Sequence, residues 1–485
     1  MKHRAGLDRS QTLLFPERLE EYVGAENPVR FLDAFVGSLN LPALKFGKAQ
    51  CAATGRPPYD PAMLLKLYLY GYLHRIRSSR GLEAECQRNV ELIWLTGKQT
   101  PDFKTIADFR KDNLQPLKAV ARSFTLLCRK LELFGGELLA IDGSKFRAVN
   151  ARDQNFNAGR LQELIAHTDA RLAEYFQQLE QADAANPSPT ALSRTELAAK
   201  IASLTEKRDW HTELLGQLDA DQKQISVTDP DTRRLPTAQG NVVGYNAQFA
   251  VDAKHKLMAA DDVTNEVNDL QQLANVALLA KENLGLTQTE VVADTGYYSA
   301  SEVSRCLEKG ITPYIPKADT SANTARGLYG KSQFRYDAVK DVYECPGKQE
   351  LTYRLATHEL GRELRYYRAT GCQACALKTK CTRNKANRTI TREANEHLME
   401  QMAERLKQFP EKFKLRKLLA EHPYGTIKRW MGFTHFSLKG LTKVRTEWSL
   451  VTLAYNLKRV LNLVSFEKLM STLRSVTAAD GAAVA

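Results

Sequence analysis

The segment Leu138-Leu139-Ala140-Ile141-Asp142-Gly143-Ser144-Lys145 follows Gly135-Gly136 and reads as a buried central strand, a short apolar run bounded by glycine. A carboxylate closes the run, and a hydroxyl and two cations, Lys145 and Arg147, come after it. In an open α/β sheet ligands collect outside the carboxyl ends of the strands, so an aspartate there can hold a metal ion facing solvent. By itself Asp142 reads first as a residue that merely caps its strand. The pattern then recurs: Glu290-Val291-Val292-Ala293-Asp294 is another apolar strand ending in aspartate, with Thr295-Gly296-Tyr297-Tyr298 beyond.

Between these strands, residues 157–184 and 193–222 read as two polar, periodic helices joined by Asn186-Pro187-Ser188-Pro189. Leu161, Ile165, Leu172, Phe176 and Leu179 keep heptad-like spacing in the first. Ser193 and Glu196 form a capping box at the start of the second, which Leu197, Ile201, Leu204, His211, Leu215 and Leu218 continue. This predicts an antiparallel helical hairpin inserted into the sheet unit, with His211 packed on its apolar seam rather than serving as a ligand. Asn241 to Val251 alternates apolar and polar residues and turns at Asp252-Ala253-Lys254-His255-Lys256 into Leu257 to Val263, a β-hairpin. A helix is predicted from about Asp269 to Leu284, another from about Ser299, and a short strand over Thr312 to Ile315.

Upstream, residues 1–135 read as helical. Asp60-Pro61 is a start signal, with an N-cap carboxylate and proline at the first helical position, for a helix over Ala62 to Ile76. A second helix is predicted over Leu82 to Leu95, and Thr100-Pro101 signals a third that carries Lys104, Thr105, Arg110 and Lys111. Such an arrangement fits a helix-turn-helix that reads duplex DNA, and equally a plain helical bundle with a solvated basic face.

The chain has 485 residues and a net charge of +13, which favours polyanionic partners through counterion release, although merely basic proteins share it. No apolar run approaches the roughly 20 residues that span a bilayer, and Met1-Lys2-His3-Arg4 leads into no signal-peptide core, so a cytoplasmic protein is expected. Of the eight cysteines, four lie between Cys345 and Cys381. In a reducing compartment that clustering argues for metal rather than disulfides. Cys372-x-x-Cys375 supplies two thiolates from one tight turn, and Cys345 and Cys381 complete the four that structural zinc favours; the alternative is reduced, unligated thiols.

From about Ala394 to Leu419 the chain is helical and becomes basic (Lys412, Lys414, Arg416, Lys417), and Glu421-His422-Pro423-Tyr424-Gly425-Thr426-Ile427-Lys428-Arg429-Trp430 follows. The helix Glu447 to Leu463 is apolar enough to be buried, and Thr477 to Ala485 reads as a frayed tail. Two aspartates on neighbouring strands and a glutamate on a nearby helix can hold two divalent ions about 4 Å apart for in-line phosphoryl transfer. Hard oxygen ligands select Mg²⁺ or Mn²⁺. The cations around these carboxylates (Lys145, Arg147, Arg416, Lys417, Lys428, Arg429) fit a phosphodiester substrate.

In the order of these features the chain resembles the bacterial insertion-sequence DDE transposases, in the branch with a cysteine-rich insertion before the glutamate. The resemblance runs from about Pro58 to Arg459. It is carried by Arg56-Pro57-Pro58-Tyr59-Asp60-Pro61, Ala140-Ile141-Asp142-Gly143, Gly244-Tyr245-Asn246-Ala247-Gln248, Ala293-Asp294-Thr295-Gly296-Tyr297 and Glu421-His422-Pro423-Tyr424-Gly425-Thr426-Ile427-Lys428. It implies an α/β fold with a ribonuclease-H-like mixed sheet flanked by helices, an N-terminal all-helical domain, the inserted helical hairpin and a small zinc-binding insertion. The expected division is 1–135 for DNA binding, 136–156, 223–317 and 396–470 for the catalytic core, 157–222 for the hairpin, 318–395 for the cysteine-rich insertion and 471–485 for a flexible tail.

The implied activity is cleavage at terminal inverted repeats and transfer of 3′ ends to target DNA, with Asp142, Asp294 and Glu421 as catalytic ligands of two Mg²⁺ (or Mn²⁺) ions. The implied partners are double-stranded DNA and a second copy in a synaptic homodimer, in a nucleoid-associated setting. The family's third acid lies in a signature with Tyr and Arg upstream and Lys downstream. Glu421 and Lys428 match its second half, but Lys414 and Lys417 stand at the Tyr and Arg positions, with Arg416 one residue off. Glu447 is therefore the runner-up, although as the start of an apolar helix it can simply favour the helix dipole. The rival functions are a metal-dependent nuclease without strand transfer and a non-enzymatic DNA-binding regulator.

Overall fold

The Leu138–Lys145 segment lies inside a six-stranded sheet in the computed structural model, which describes residues 18–50, 57–150, 152–183, 193–218, 224–317, 322–359 and 362–482. Met1–Arg4, Arg56 and the Asn186–Pro189 linker fall outside the described residues. The sheet is preceded by helices α1 (Pro28–Gly37), α2 (Pro61–Leu73), α3 (Ser79–Arg88), α4 (Val90–Thr96), α5 (Phe103–Asp112) and α6 (Leu114–Lys130). Asp60 caps α2 by accepting from the Ala62 amide, with Pro61 at the first position as the sequence predicts. The single helix expected over Leu82 to Leu95 is instead two. Asn89 adopts an extended backbone, ends α3, and caps α4 through the amides of Glu91 and Leu92. In α5, Arg110 points inward rather than to solvent: it is 9% exposed, bonds the Tyr72 hydroxyl and lies over the Tyr68 ring.

Strand β1 (Leu138–Arg147) starts where the apolar run does, with Leu139, Ala140 and Ile141 fully buried. Short strands β2 (Asn155–Asn157) and β3 (Gln224–Ser226) pair at the base of the helical hairpin α7 (Ala158–Asp183) and α8 (Arg194–Gly216). The Ser193–Glu196 capping box is present. His211 is 2% exposed and packs edge-on against Phe156, as a core histidine.

The sheet is completed by β4 (Arg233–Thr237), β5 (Gly240–Asp252), β6 (Met258–Thr264), β7 (Thr289–Val292) and β8 (Ile311–Tyr314), with α9 (Leu273–Leu284) before β7 and α10 (Ala300–Glu308) before β8. The order is β4-β5-β1-β7-β8, with β6 on the same edge of β5 as β4. β1 is antiparallel to β5 and parallel to β7, and β7 is parallel to β8. The sequence reading ends β1 at Asp142. The strand in fact runs five residues further, because β5 pairs with it from Leu139↔Asp252 to Arg147↔Gly244 and its ladder outlasts the apolar run.

The cysteine-rich segment forms a separate antiparallel sheet. After the short helix α11 (Ala322–Ala325) come β9 (Arg335–Asp337), β10 (Val342–Glu344), β11 (Glu350–Glu359), β12 (Arg362–Arg368), a one-turn helix α12 (Lys378–Cys381) and β13 (Thr389–Glu393), in the order β13-β12-β11-β10-β9. The helix expected from Ala394 to Leu419 is broken at Phe409-Pro410 into α13 (Glu396–Gln408) and α14 (Pro410–Gly425), since the residue before a proline is disfavoured in helical backbone, and Phe409 leaves it, while proline starts a helix well. A π-helical turn, Thr426–Trp430, extends α14. Then α15 (Leu441–Leu463) is buried along most of its length, and α16 (Phe466–Ala482) runs into the segment expected as a tail.

Two apolar clusters sandwich the sheet. On one face Phe146, Tyr245 and Phe249 pack with Trp448 and Leu453 of α15 and, through them, with Phe31, Leu65 and Phe124 of the N-terminal helices. On the other, Leu139, Ile141 and Ala250 pack with Leu273 and Ala277 of α9 and Val303 of α10. Alternation along β1 thus sends Asp142, level with Phe249, toward the first face and Gly143, level with Gln248, toward the second. No helix among the described residues is long and apolar enough to cross a membrane.

Candidate active site

The parallel register Leu138↔Glu290, Leu139↔Val291, Ala140↔Val292, carried two residues on, brings Asp142 level with Asp294. The paired ladder of β1 and β7 stops at Ala140 and Val292, so the two carboxylates flank the point where the strands part. One guanidinium sits between them: Arg416 Nη2 is 3.1 Å from Asp142 Oδ1 and 3.2 Å from Asp294 Oδ2. Each aspartate is also fixed locally. Asp142 Oδ1 accepts from the Gly143 amide at 2.9 Å, and Asp294 Oδ1 accepts from the Gly296 amide at 2.8 Å, capping the turn Thr295–Tyr297.

Arg416 reaches this point from α14, whose inward side reads Lys412, Arg416, Ala420 and Tyr424, spaced one turn apart. Lys412 pairs with Glu290 of β7, and the Tyr424 hydroxyl donates to the Ala247 carbonyl at 2.8 Å with the Asp142 carbonyl at 3.3 Å. One turn further, Lys428 Nζ donates to Ser144 Oγ at 2.6 Å and lies over the Phe146 ring. Burial pushes the Asp142 carboxyl up to about 6, against the pull of Arg416 and with reinforcement from Asp294 and Asp269. Burial likewise holds the Lys428 ammonium below its ordinary value, with Asp142 opposing.

A third carboxylate stands close by. Asp269 lies in the turn before α9, and its Oδ1 accepts from Asn246 Nδ2 and Gln248 Nε2, each at 2.7 Å. Both amides are fully buried in β5. The sequence flagged Asn246 and Gln248 only as part of a motif and passed over Asp269; the available signal was two amides in otherwise apolar alternation, which a buried strand does not carry without partners.

The remaining predicted residues are placed as follows. Glu421 is on α14, five residues after Arg416 and so about 140° around the helix; its side chain is 68% exposed, with Lys417 Nζ 4.0 Å away. The structure does not join it to the aspartates. Glu447 is fully buried elsewhere and accepts from the amides of Ser437 and Leu438, so it holds a loop against α15. Lys145 donates to the Pro236 carbonyl, while Arg147, Lys417 and Arg429 are exposed. Arg416 is thus an aspartate partner rather than an outward cation.

Cys345, Cys372, Cys375 and Cys381 line one cavity of about 20 Å³, and two of their sulfurs accept backbone amides, Gln349 N to Cys345 Sγ at 3.3 Å and Arg388 N to Cys372 Sγ at 3.4 Å. Among the described residues, however, no group of three or more His, Cys, Asp or Glu side chains is arranged to hold a metal ion. The four thiols share a cavity without closing around a point, and the aspartates close around a guanidinium.

Two family profiles match the chain. The Transposase domain (DUF772) covers residues 17–112, the N-terminal helices through α5. The Transposase DDE domain covers residues 344–461, from the cysteine-rich sheet through α14 to α15. The chain belongs to the insertion-sequence DDE transposases. No curated protein and no solved structure matches it. The second match takes in Arg416, Glu421 and Lys428 of the transposase but neither Asp142 nor Asp294, whose convergence is a property of the sheet.

Proposed function

We propose that this transposase binds the terminal inverted repeats of its own element, hydrolyses phosphodiester bonds there and joins the freed 3′ ends to target DNA. The observation that carries the reading is the single cation shared by Asp142 and Asp294 where two parallel strands part. Two carboxylates from separate strands that close on one positive group fit a site for hard divalent cations, Mg²⁺ or Mn²⁺. When bound, such ions supply an activated water or 3′-hydroxyl and stabilise the leaving oxygen. The sheet order, with a central strand antiparallel to its neighbour on one side and parallel on the other, supports a ribonuclease-H-like core.

In this reading Asp142 and Asp294 would hold the ions with Glu421 as the third ligand, and Arg416 would give up its place between the aspartates to them. Arg416 and Lys428, already beside the pair, then face the scissile phosphate, with Lys145, Arg147, Lys417 and Arg429 along the DNA backbone. The N-terminal helices contact the repeats, and a synaptic homodimer brings two ends together. In the cysteine-rich sheet the four thiols hold a structural zinc ion, which their shared cavity and the two amide–sulfur bonds support.

The test is Mg²⁺-dependent cleavage of a terminal-repeat duplex and its joining to a plasmid. Asp142→Ala, Asp294→Ala and Glu421→Ala should each lose both steps. Cleavage that persists in either aspartate variant refutes the site, persistence in Glu421→Ala removes only the third ligand, and cleavage without joining makes the protein a nuclease.

A further inference from the structure

Three features of the core have no explanation from the sheet alone: glycine directly after Asp142, glycine two residues after Asp294, and the two buried amides of β5. One side chain lies against all of them. A Cβ at position 143 would stand 2.8 Å from Asp269 Oδ1 and 2.3 Å from Gln248 Nε2. A Cβ at position 296 would stand 2.9 Å from Asp294 Oδ1 and 3.6 Å from Asp269 Oδ2. The Asp269 carboxylate therefore spans the gap between the backbones that carry Asp142 and Asp294, with one oxygen against each. Its Oδ1 is locked by Asn246 and Gln248, while no partner is recorded for Oδ2 among the described residues.

A purely structural role is a poor account of this group. Apolar residues at 246 and 248 would build a central strand without burying two amides against a carboxylate, and buried polar groups of this kind are costly even when paired. A further observation points to a ligand. Asn246 is fully buried with its amide head on Asp269, and its Oδ1 has no hydrogen-bond partner among the described residues. That leaves a buried, unpaired amide oxygen on the side chain that holds Asp269, and carboxylate and amide oxygens are the donors a hydrated hard cation recruits.

We propose that Asp269 belongs to the divalent-cation site, as a third carboxylate with Asp142 and Asp294, and that Asn246 and Gln248 are the positioning residues that fix it. This rests on the reading of the aspartate pair as cation ligands, and adds a binding residue outside both family matches. The set does not include Glu421, so once Arg416 gives up the aspartate pair a cation can bind without that residue.

The experiment is Mn²⁺ binding to the full chain without DNA, by calorimetry and by the Mn²⁺-induced rise in melting temperature, with melting in chelator as the control for folding. Asp269→Asn should weaken Mn²⁺ binding at least roughly 10- to 100-fold, the range seen when even the groups that orient metal ligands are lost. Loss of binding in Asp294→Ala with unchanged binding in Asp269→Asn overturns the role of Asp269 and leaves the pair standing. Binding that survives Asp294→Ala overturns the pair and this proposal together. If Asp269→Asn does not fold, Asp269→Glu, which keeps the charge but is too long to keep both amide bonds, is read in the same way.

Discussion

Replacing Asp142 by asparagine should stabilise the ion-free protein at pH 8 and do nothing for it near pH 4. Burial lifts the Asp142 carboxyl from its ordinary 3.8 to about 6, with Arg416 only partly offsetting the effect. Between those values the folded protein binds more protons than the unfolded chain, so stability falls as pH rises through the window. At about 1.4 kcal/mol for every factor of ten in proton affinity, the ionised side chain costs the fold about 3 kcal/mol above pH 6. With 15% of the side chain exposed, solvent screens little of this. Asparagine keeps the shape and cannot ionise, so it escapes the whole cost at pH 8 and has none to escape below pH 4. The assay is thermal and urea unfolding of both proteins in chelator across pH 4 to 8, with a difference that opens through about pH 4 to 6 and then stays level. A variant that unfolds more readily than its parent at pH 8, or whose advantage is the same at every pH, refutes the reasoning. Saturating Mn²⁺ should reverse the order, because only the parent keeps both cation ligands, a trade of stability for function.

Glu447→Ala should destabilise the protein by about 3 kcal/mol or more, because it strands the Ser437 and Leu438 amides and leaves Arg110 without its buried counter-charge. It should leave Mn²⁺ affinity unchanged, and a variant that loses Mn²⁺ binding while still folded would make Glu447 a ligand after all. Metal analysis of the purified protein should return about one zinc per chain, the occupancy of a four-thiolate site. Cys375→Ser should lose that zinc and lower the melting temperature; folded wild-type protein free of zinc would show that Cys345, Cys372, Cys375 and Cys381 are ordinary thiols.

The local pattern carried much of the architecture. The apolar runs before Asp142 and Asp294 are neighbouring parallel strands, the alternation from Asn241 is the long hairpin, and Asp60-Pro61 and Ser193–Glu196 cap helices. These succeed because period and capping chemistry act over a few residues. The misplaced boundaries lie where a local signal competes with a partner: β5 draws β1 past Asp142, and Asn89 divides a helix whose apolar spacing continues through it.

The sequence by itself therefore determined the elements, their order and the two aspartates on adjacent strands. Only the tertiary structure decided which side chains meet there. Arg416 rather than Glu421 faces the pair, because a helix turns by about 100° per residue and its packing angle is set by Lys412, Ala420 and Tyr424 against the sheet. Asp269 joins them because Gly143 leaves the space and two amides of β5 hold it there. The first relation has no local trace, since it depends on helix rotation between residues 122 apart in the chain; the second left only the two amides of β5, whose partner the sheet register and the turn before α9 select.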